Sequence, residues 1–505
     1  MNQINIISSD NQKLISSISH YKKIVLLNMP KIGLNNPPMA PALLQSIAKQ
    51  MGAETSFIDI NLLFHNQFEK NGEIINDWCE LDLKLSDENI NLIEEFTEKL
   101  DLSEVWDADI VGISVFSYHS FNYTSWFLNQ YRSKIKGKIV IGGPGVTRNN
   151  YGKNLYDKNL IDYYVLGEGE LSWRAILVDD LPYPGVNQPS ETLQGFEFVP
   201  IPDYTNYALD QYLNSKVYGI TIGVEGSRGC VRNCTFCDIR EFWDKYKFKD
   251  GKKLAEELLI LKEQYGVNHF FFNDSLINGS DKAFRDFIKH LSDYNRSHEN
   301  KISWSAYYIV KSAITYKEED WKNLKDSGVK SLFIGIESGS ESVRNHMKKK
   351  FSNDDIDHVM RKLQFYGIRC TWLLIIGYPT ETKKDFQDTL DMLAKYQPMA
   401  LDNTIDTVAL GLTMGITPGS PLSTMTAELN IRAAVEDHSQ GVYWENENSD
   451  FKERVLRRIQ AEKHIRALGY NSWIGDNDII SYFEQKLQDI ENGKVSESDI
   501  ADHHG

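Results

Sequence analysis

Short apolar runs alternate with amphipathic stretches along most of the chain. KIVLLNM at 23–29, ETSFIDI at 54–60, DIVGISVF at 109–116, KIVIGGPG at 138–145 and IDYYVLGEGE at 161–170 read as five strands, with a helix over roughly 40–51 between the first two. Continuously apolar strands joined by helical crossovers predict a parallel sheet covered on both faces. A second series opens with GITIGV at 219–224. It continues through NHFFF at 268–272, ISWSAYY at 302–308, SLFIGI at 331–336, TWLLII at 371–376 and DTVALGL at 406–412, with helices in the gaps. Six strand–helix repeats make most of a barrel but fall short of the eight that close one. The segments 449–467 and 478–492 predict helices outside that repeat. The expected fold is α/β: an N-terminal extension (1–22), a Rossmann-like doubly wound domain (23–180), a Pro-containing connector (181–215), a partial (β/α)6 TIM-like barrel (216–440) and a mainly helical C-terminal region (441–505).

Length supports this division, since 505 residues exceed what one hydrophobic core usually serves. No run approaches the roughly 20 apolar residues that span a bilayer, and the N-terminus shows no basic region followed by an apolar one. The net charge of −16 repels phosphate backbones and argues against nucleic acid as the partner. Five cysteines are too few for a disulfide framework, and three of them fall within eight positions, which is metal-site spacing. A reduced, cytoplasmic setting is the expectation.

The N-terminal sheet carries its candidate chemistry on loops. Ligands of doubly wound sheets bind beyond the carboxyl ends of the strands. Gly142 and Gly143, then Gly167, Glu168 and Gly169, and the Ser117–Ser120 stretch with His119 lie at three such ends. No GxGxxG follows the first strand, so a dinucleotide reading is poor.

The strongest motif is EGSRGCVRNCTFCDIR at 225–240. Cys230, Cys234 and Cys237 present three soft thiolates at CxxxCxxC spacing on one loop directly after a strand. Structural zinc wants four ligands, and a histidine from elsewhere would have to complete it, so count alone leaves zinc open. Three ligands on a four-iron cluster leave one iron open for a small molecule. Phe236 stands beside the last cysteine, placed to shield one side of a cluster.

Over residues 215–440 this pattern resembles the radical S-adenosylmethionine (SAM) superfamily, in the subgroup of magnesium-protoporphyrin cyclase-like and methyltransferase-like enzymes. The resemblance implies a [4Fe-4S] cluster on the three cysteines, with SAM chelating the open iron and yielding a 5′-deoxyadenosyl radical. It places SAM contacts at Asn273 and Asp274 in FFFNDSLIN, at Glu337 and Ser338 in FIGIESGSE, and at Gly377 to Pro379 in LLIIGYPTET. Relatives often have an arginine at the end of the third barrel strand; here Tyr307 and Tyr308 stand there, and Tyr308 is a candidate cofactor contact, as a hydrogen donor, a packed ring or a substrate contact.

Residues 22–170 are similar to the cobalamin-binding domain fused ahead of one radical SAM class, through NPP after the first strand, ADIVGIS, IVIGGPGVT and DYYVLGEGE. The DxHxxG motif whose histidine ligates cobalt is absent; His119 is the one histidine beside a corrin-binding loop. The resemblance implies a cobalamin-dependent methyltransferase acting on an unactivated carbon of a small metabolite or peptide, with an external one-electron donor such as flavodoxin or ferredoxin. Two alternatives stay open: a radical cyclase, rearrangement or oxidation enzyme without methyl transfer, and a non-catalytic SAM-binding iron–sulfur protein.

Overall fold

The structure, a computed structural model, describes residues 16–30, 33–68, 86–147, 150–180, 186–187, 195–196, 199–243, 245–411, 413–433 and 444–472, and within 481–492 positions 481, 484–485, 487–488 and 492. The expected helix at 478–492 therefore lies largely outside the described residues. The chain forms two compact units, one of residues up to 223 with 260–268, the other of 224–259 with 269 onward.

The first unit is built on six strands: β1 (Lys23–Asn28), β2 (Glu54–Asp59), β3 (Ile110–Ser114), β4 (Lys138–Gly142), β5 (Tyr163–Val165) and β6 (Val186–Asn187). Their order is β2-β1-β3-β4-β5-β6, all pairings being parallel. Strand residues alternate between faces, as period-2 geometry demands. Val25, Leu27, Val111, Ile113, Ile139 and Ile141 enter one core with Phe64, Phe96 and Phe127. Ile24, Leu26, Ile110, Val140 and Val165 enter the other with Ile47, Trp173 and Ile176. Gly112 is glycine because a Cβ there would lie 2.6 Å from Leu26 and 3.3 Å from Trp173. Chain order reverses between β1 and β3, so the loops after these strands flank the crevice where such sheets take ligands.

Strand β6 lies in the expected connector and extends the sheet. The segment after it packs on the same unit. Gln45 Nε2 donates to the carbonyls of Asp203 and Thr205 at 3.1 Å each, and the Tyr212 hydroxyl donates to the buried Asp59 carboxylate.

Strand β7 (Thr221–Val224) carries the chain from the first unit into the second, and the short antiparallel ribbon β8 (Ser227–Arg228) with β9 (Lys247–Phe248) follows. The barrel strands follow as β10 (His269–Phe272), β11 (Ser303–Tyr308), β12 (Val329–Glu337), β13 (Arg369–Leu374) and β14 (Ile405–Leu410). A second ribbon joins β15 (Arg432–Ala433) to β16 (Trp444–Glu445), and β17 (Asn471–Ser472) ends the series. The main sheet runs β7-β10-β11-β12-β13-β14-β17. Five of its helices start on side-chain caps: Ser280, Ser340, Ser352, Thr382 and Asp450 each accept a backbone N–H from the first turn.

The helix Phe451–Ala467 leads into β17, which pairs parallel with β14. The helix expected at 449–467 is thus the crossover to a short seventh strand. Among its buried side chains are Arg454, Arg457, Arg458 and Glu462.

Candidate radical site at the barrel mouth

The cysteine loop is shaped by the strand before it. Gly229 adopts φ 75°, and a Cβ there would lie 2.8 Å from the Lys245 carbonyl, so the turn into Cys230 admits glycine alone. Cys230, Cys234 and Cys237 are all free and half-buried. The Cys230 sulfur accepts the Arg232 N–H at 3.3 Å. The Ile239 N–H is bonded to Cys237 and favours its thiolate. Burial pushes the Cys234 thiol up to about 11 and raises that of Cys237. Metal or cationic compensation is what such thiols need to hold negative charge. Among the described residues no three His, Cys, Asp or Glu side chains are placed to hold a single metal ion. Three thiols on one loop, two of them accepting backbone N–H groups, fit a sulfur-bridged cluster, whose sulfurs such donors stabilise.

The rest of the loop is docked on the barrel. The Thr235 N–H bonds to Met347 O at 3.2 Å, and Thr235 O accepts from Leu422 N at 2.7 Å. Thr235 Oγ1 lies 2.7 Å from the Tyr378 hydroxyl, which also meets His346 Nδ1 at 2.8 Å. Phe236 packs against the apolar group of Val343, Met347, Tyr378, Met414, Leu422 and Trp444.

Lys349 is the residue that sequence reading misses. The run Lys348–Lys350 reads as a solvated helix end, yet Lys348 and Lys350 adopt φ 60° and 55°, and the residue between them turns inward. Its ammonium bonds Glu337 Oε1 at 2.8 Å and lies 5.9 Å from the Phe236 ring. Burial opposes its charge, but Glu337 and the Cys234 and Cys230 thiols raise its pKa overall. Glu337 is itself left-handed at φ 67°, at a bulge where β12 shifts register against β13. Strained non-glycine backbone at three positions around one ion pair marks a site held in place by its surroundings. Gly335 leaves room for the pair as it stands, since a Cβ there would lie 2.3 Å from Glu337 Oε1 and 2.9 Å from Lys349 Nζ.

Other expected contacts divide into those at the mouth and those beneath it. Asn273 is exposed at the end of β10, its N–H bonded to Val224 O. Asp274 is buried, with Oδ2 accepting the Gly226 N–H at 2.9 Å and Oδ1 accepting the Ser227 hydroxyl at 2.6 Å. Both oxygens thus anchor the approach to the cysteine loop. Burial raises its pKa to about 7, with the Ser227 and Gly226 bonds pulling the other way. Ser338 is fully buried in the turn, near Thr389 Oγ1 at 3.3 Å, and its carbonyl accepts from Arg344 at 2.6 Å.

Gly377 has φ 82°, and a Cβ would lie 2.6 Å from Arg454 Cδ. Its N–H bonds to Glu381, which Arg457 pairs at 3.1 Å, and Pro379 O accepts the side-chain amides of both Asn446 and Asn448 at 2.9 Å. Sequence reading misses this brace because its parts lie some 65–80 residues apart.

Tyr308 is placed on the helix-packed side. Its ring lies 6.1 Å from Phe284, and its hydroxyl is buried without a hydrogen-bond partner. Tyr307, by alternation, faces the opposite side, 5.3 Å from Phe333, which is 5.6 Å from Phe271. Three half-buried aromatic rings on β10, β11 and β12 therefore line the inner face.

In the first unit, His119 sits in a turn after β3, its Nδ1 3.1 Å from Ser117 Oγ and its ring tilted against Tyr118 with centroids 4.0 Å apart. Phe116 beside it is 61% exposed. Gly142 ends β4. Gly143 has φ 111°, and its Cβ would lie 2.5 Å from Val115 O, so the two loops approach backbone to backbone. Gly167 is exposed at φ 76°, Glu168 is buried, and Gly169 opens onto nothing closer than Leu44 at 4.0 Å. Open glycine backbone is thus confined to Gly167 and Gly169 at the end of β5, whereas Gly142 and Gly143 are packed against Val165 and Val115.

The Radical SAM superfamily model matches residues 224–393. An uncharacterized methyltransferase of Pyrococcus horikoshii is 27% identical over 334 residues, spanning 61% of this chain and 70% of its own length. The radical SAM methyltransferase TsrM of Kitasatospora setae, solved with tryptophan and a SAM analogue, superposes with a TM-score of 0.60 at 14% identity, over 94% of this chain and all of TsrM. The cobalamin-dependent SAM radical enzyme OxsB, solved with aqua-cobalamin and SAM, does so with a TM-score of 0.61 at 16% identity, over 95% of this chain and 74% of OxsB. At these identities the structures speak for the fold. Among the described residues no helix is long and apolar enough to cross a membrane. Residues 224–393 form a radical SAM domain, whose cofactors are a [4Fe-4S] cluster and SAM, within a chain that shares the α/β fold of TsrM and OxsB.

Proposed function

We propose that the protein is a cobalamin-dependent radical SAM methyltransferase acting on an unactivated carbon of a small metabolite or peptide. The observation that carries this reading is the set of three free thiols on one loop at the mouth of a barrel lined by Phe271, Tyr307 and Phe333. The fold shared with OxsB and the methyltransferase relative support it. In this reading residues 23–180 are the cobalamin-binding domain and 216–440 the radical barrel.

Cys230, Cys234 and Cys237 would hold the cluster, with Lys349 offsetting the charge of their thiolates. Asn273, exposed at the end of β10, and Glu337 would meet SAM's polar groups, and the Gly377–Pro379 turn would offer backbone to the adenine. Gly142, Gly143, Gly167, Glu168 and Gly169 would cradle cobalamin, with His119 beside it. When bound, these groups supply a hydrogen-abstracting radical and a methyl donor. The aromatic inner face excludes the water and loose hydrogen donors that would quench a carbon radical. Substrate must be held with one carbon within reach of both donors, which is a positioning task for the barrel lining. An external one-electron donor such as flavodoxin or ferredoxin completes the requirements.

Anaerobic purification with iron, sulfide and cobalt assays and a visible spectrum tests both cofactors at once. Four irons and one cobalt per chain are expected, with the iron lost in Cys230→Ala. Zinc in the loop overturns the reading. A candidate substrate is decided by mass: one added methyl group supports transfer, and turnover with no added mass favours the cyclase or rearrangement alternative.

A further inference from the structure

The barrel strands leave their inner face incompletely filled. Outward positions such as Trp304, Ile334 and Trp372 are fully buried, the two tryptophans against Phe287 and Tyr396 of the surrounding helices. Inward positions on the same sheet, Phe271, Tyr307, Phe333, Leu373 and Thr407, are only half-buried. A closed barrel fills that space with layers of side chains. Rings that solvent still reaches at mid-strand therefore line an open chamber.

Register fixes what stands beside what. Tyr307 pairs with Phe333, Phe333 with Thr371 and Thr371 with Thr407, so one row of same-side residues crosses from β11 to β14. Its first half is aromatic, with the Tyr307 and Phe271 rings 5.3 and 5.6 Å from that of Phe333. Its second half is polar. A register shift at the start of β14 brings Asp406 to this side, where Oδ1 accepts from Thr371 Oγ1 at 3.3 Å. Burial raises the Asp406 pKa, with Arg369 and the Thr407 and Thr371 hydroxyls opposing. Ser331, on the face of Phe333 and two residues before it, carries a buried hydroxyl with no hydrogen-bond partner among the described residues.

Phe333 and Thr407 stand two strands apart, about 10 Å at ordinary strand spacing. A ligand that fills the row needs a flat apolar face at one end and a hydrogen-bond donor at the other. A carboxylate that has lost part of its water gains most from a donor with positive charge. Flat rings and cations both suit an aromatic wall.

We propose that the substrate is an aromatic amine, its ring against Phe271, Tyr307 and Phe333 and its ammonium group held by Asp406 and Thr407. The assignment rests on the reading of this barrel as the site of radical chemistry, and it narrows the substrate to a metabolite or residue with a planar ring and a free amine on a short arm.

The test titrates the anaerobically purified full chain by calorimetry with three probes of similar size. Tryptamine carries both features, indole-3-propionate keeps the ring and reverses the charge, and 2-cyclohexylethylamine keeps the charge without the flat ring. Tryptamine should bind about tenfold more tightly than either. Asp406→Asn should weaken tryptamine about tenfold and leave indole-3-propionate no weaker. Phe333→Leu should weaken tryptamine about fivefold and leave 2-cyclohexylethylamine within about twofold. Equal affinities for the three probes in the unaltered protein, or no tryptamine binding, overturn the proposal without any variant having to fold. So does an Asp406→Asn protein that loses all three probes equally, because the carboxylate would then support the wall and not read charge. Iron and cobalt are assayed on the same samples. If both are missing, the radical reading fails while the titrations still decide the ligand of the chamber; if both are present and tryptamine does not bind, the substrate class alone falls.

Discussion

The Lys349 ammonium lies 2.8 Å from Glu337 Oε1, and both side chains are about nine-tenths buried. Removing one partner of such a pair leaves a lone charge in the interior, which costs about 3–5 kcal/mol. Lys349→Met should therefore lower the unfolding midpoint and reduce iron retained after anaerobic purification. The double variant Lys349→Met, Glu337→Met should recover most of the stability but not the iron, because the cation beside the thiols is still missing. A double-mutant cycle on chemical denaturation, with iron assayed on the same samples, reads both effects. Full iron in Lys349→Met would remove it from the site.

Asp274 predicts a pH dependence of the fold. Burial lifts its pKa from 3.8 to about 7, so folding favours the protonated acid. That stabilisation is complete below about pH 4 and fades as pH rises through 7. The protonated form can donate to Ser227, whose hydroxyl then donates to Leu276 O, 3.0 Å away. Asn at 274 presents the same donor and acceptor without charge. Urea unfolding of the unaltered protein should weaken between pH 5 and pH 8, and Asp274→Asn should flatten the slope. Asp274→Ala strands the Gly226 N–H and should cost about 1–3 kcal/mol at every pH. An equal slope in the unaltered protein and Asp274→Asn would contradict the assignment.

Tyr307 and Tyr308 should respond differently to substitution. Tyr308→Phe removes a buried hydroxyl without a hydrogen-bond partner and should shift stability by less than about 1 kcal/mol, with turnover unchanged. Tyr307→Ala opens the inner aromatic face and should uncouple SAM cleavage from product, raising 5′-deoxyadenosine formed per product molecule. Comparing the two ratios by chromatography checks the orientation.

Gly143 and Gly33 form a matched pair in the first unit. Gly143→Ala forces a Cβ to 2.5 Å from Val115 O at φ 111°, and should destabilise by about 1–3 kcal/mol with loss of bound cobalt. Gly33→Ala meets nothing within 4 Å and should be neutral, or stabilising by up to about 1 kcal/mol. Equal cobalt in the two variants would argue against the glycine cradle.

Both parallel sheets were legible because their strands are apolar runs longer than any turn. Strands β6 and β17 were not, since two residues carry no periodicity. The cysteine spacing is local and could be read directly. Lys349 could not: its role depends on two left-handed neighbours that no residue type announces, Lys348 and Lys350 being neither Gly nor Asn. The packed role of Tyr308 is legible from parity, because Trp304, Ala306 and Tyr308 share one face of the strand and Trp304 is packed against Phe272 and Phe287. Asp274 was legible as chemistry but not as geometry, since the partner backbone at Gly226 lies 48 residues away.

The arginine-bearing helix Phe451–Ala467 sets where the chain can be cut. Arg457 grips Glu381 and the carbonyls of residues 381 and 448, and Arg458 grips Gly411 O at 2.7 Å. A fragment trimmed to the matched span at 393 would strip these guanidinium ties from the Gly377–Pro379 turn and leave the Glu381 carboxyl buried without its cation. Any minimal catalytic version of this protein has to carry its chain through β17.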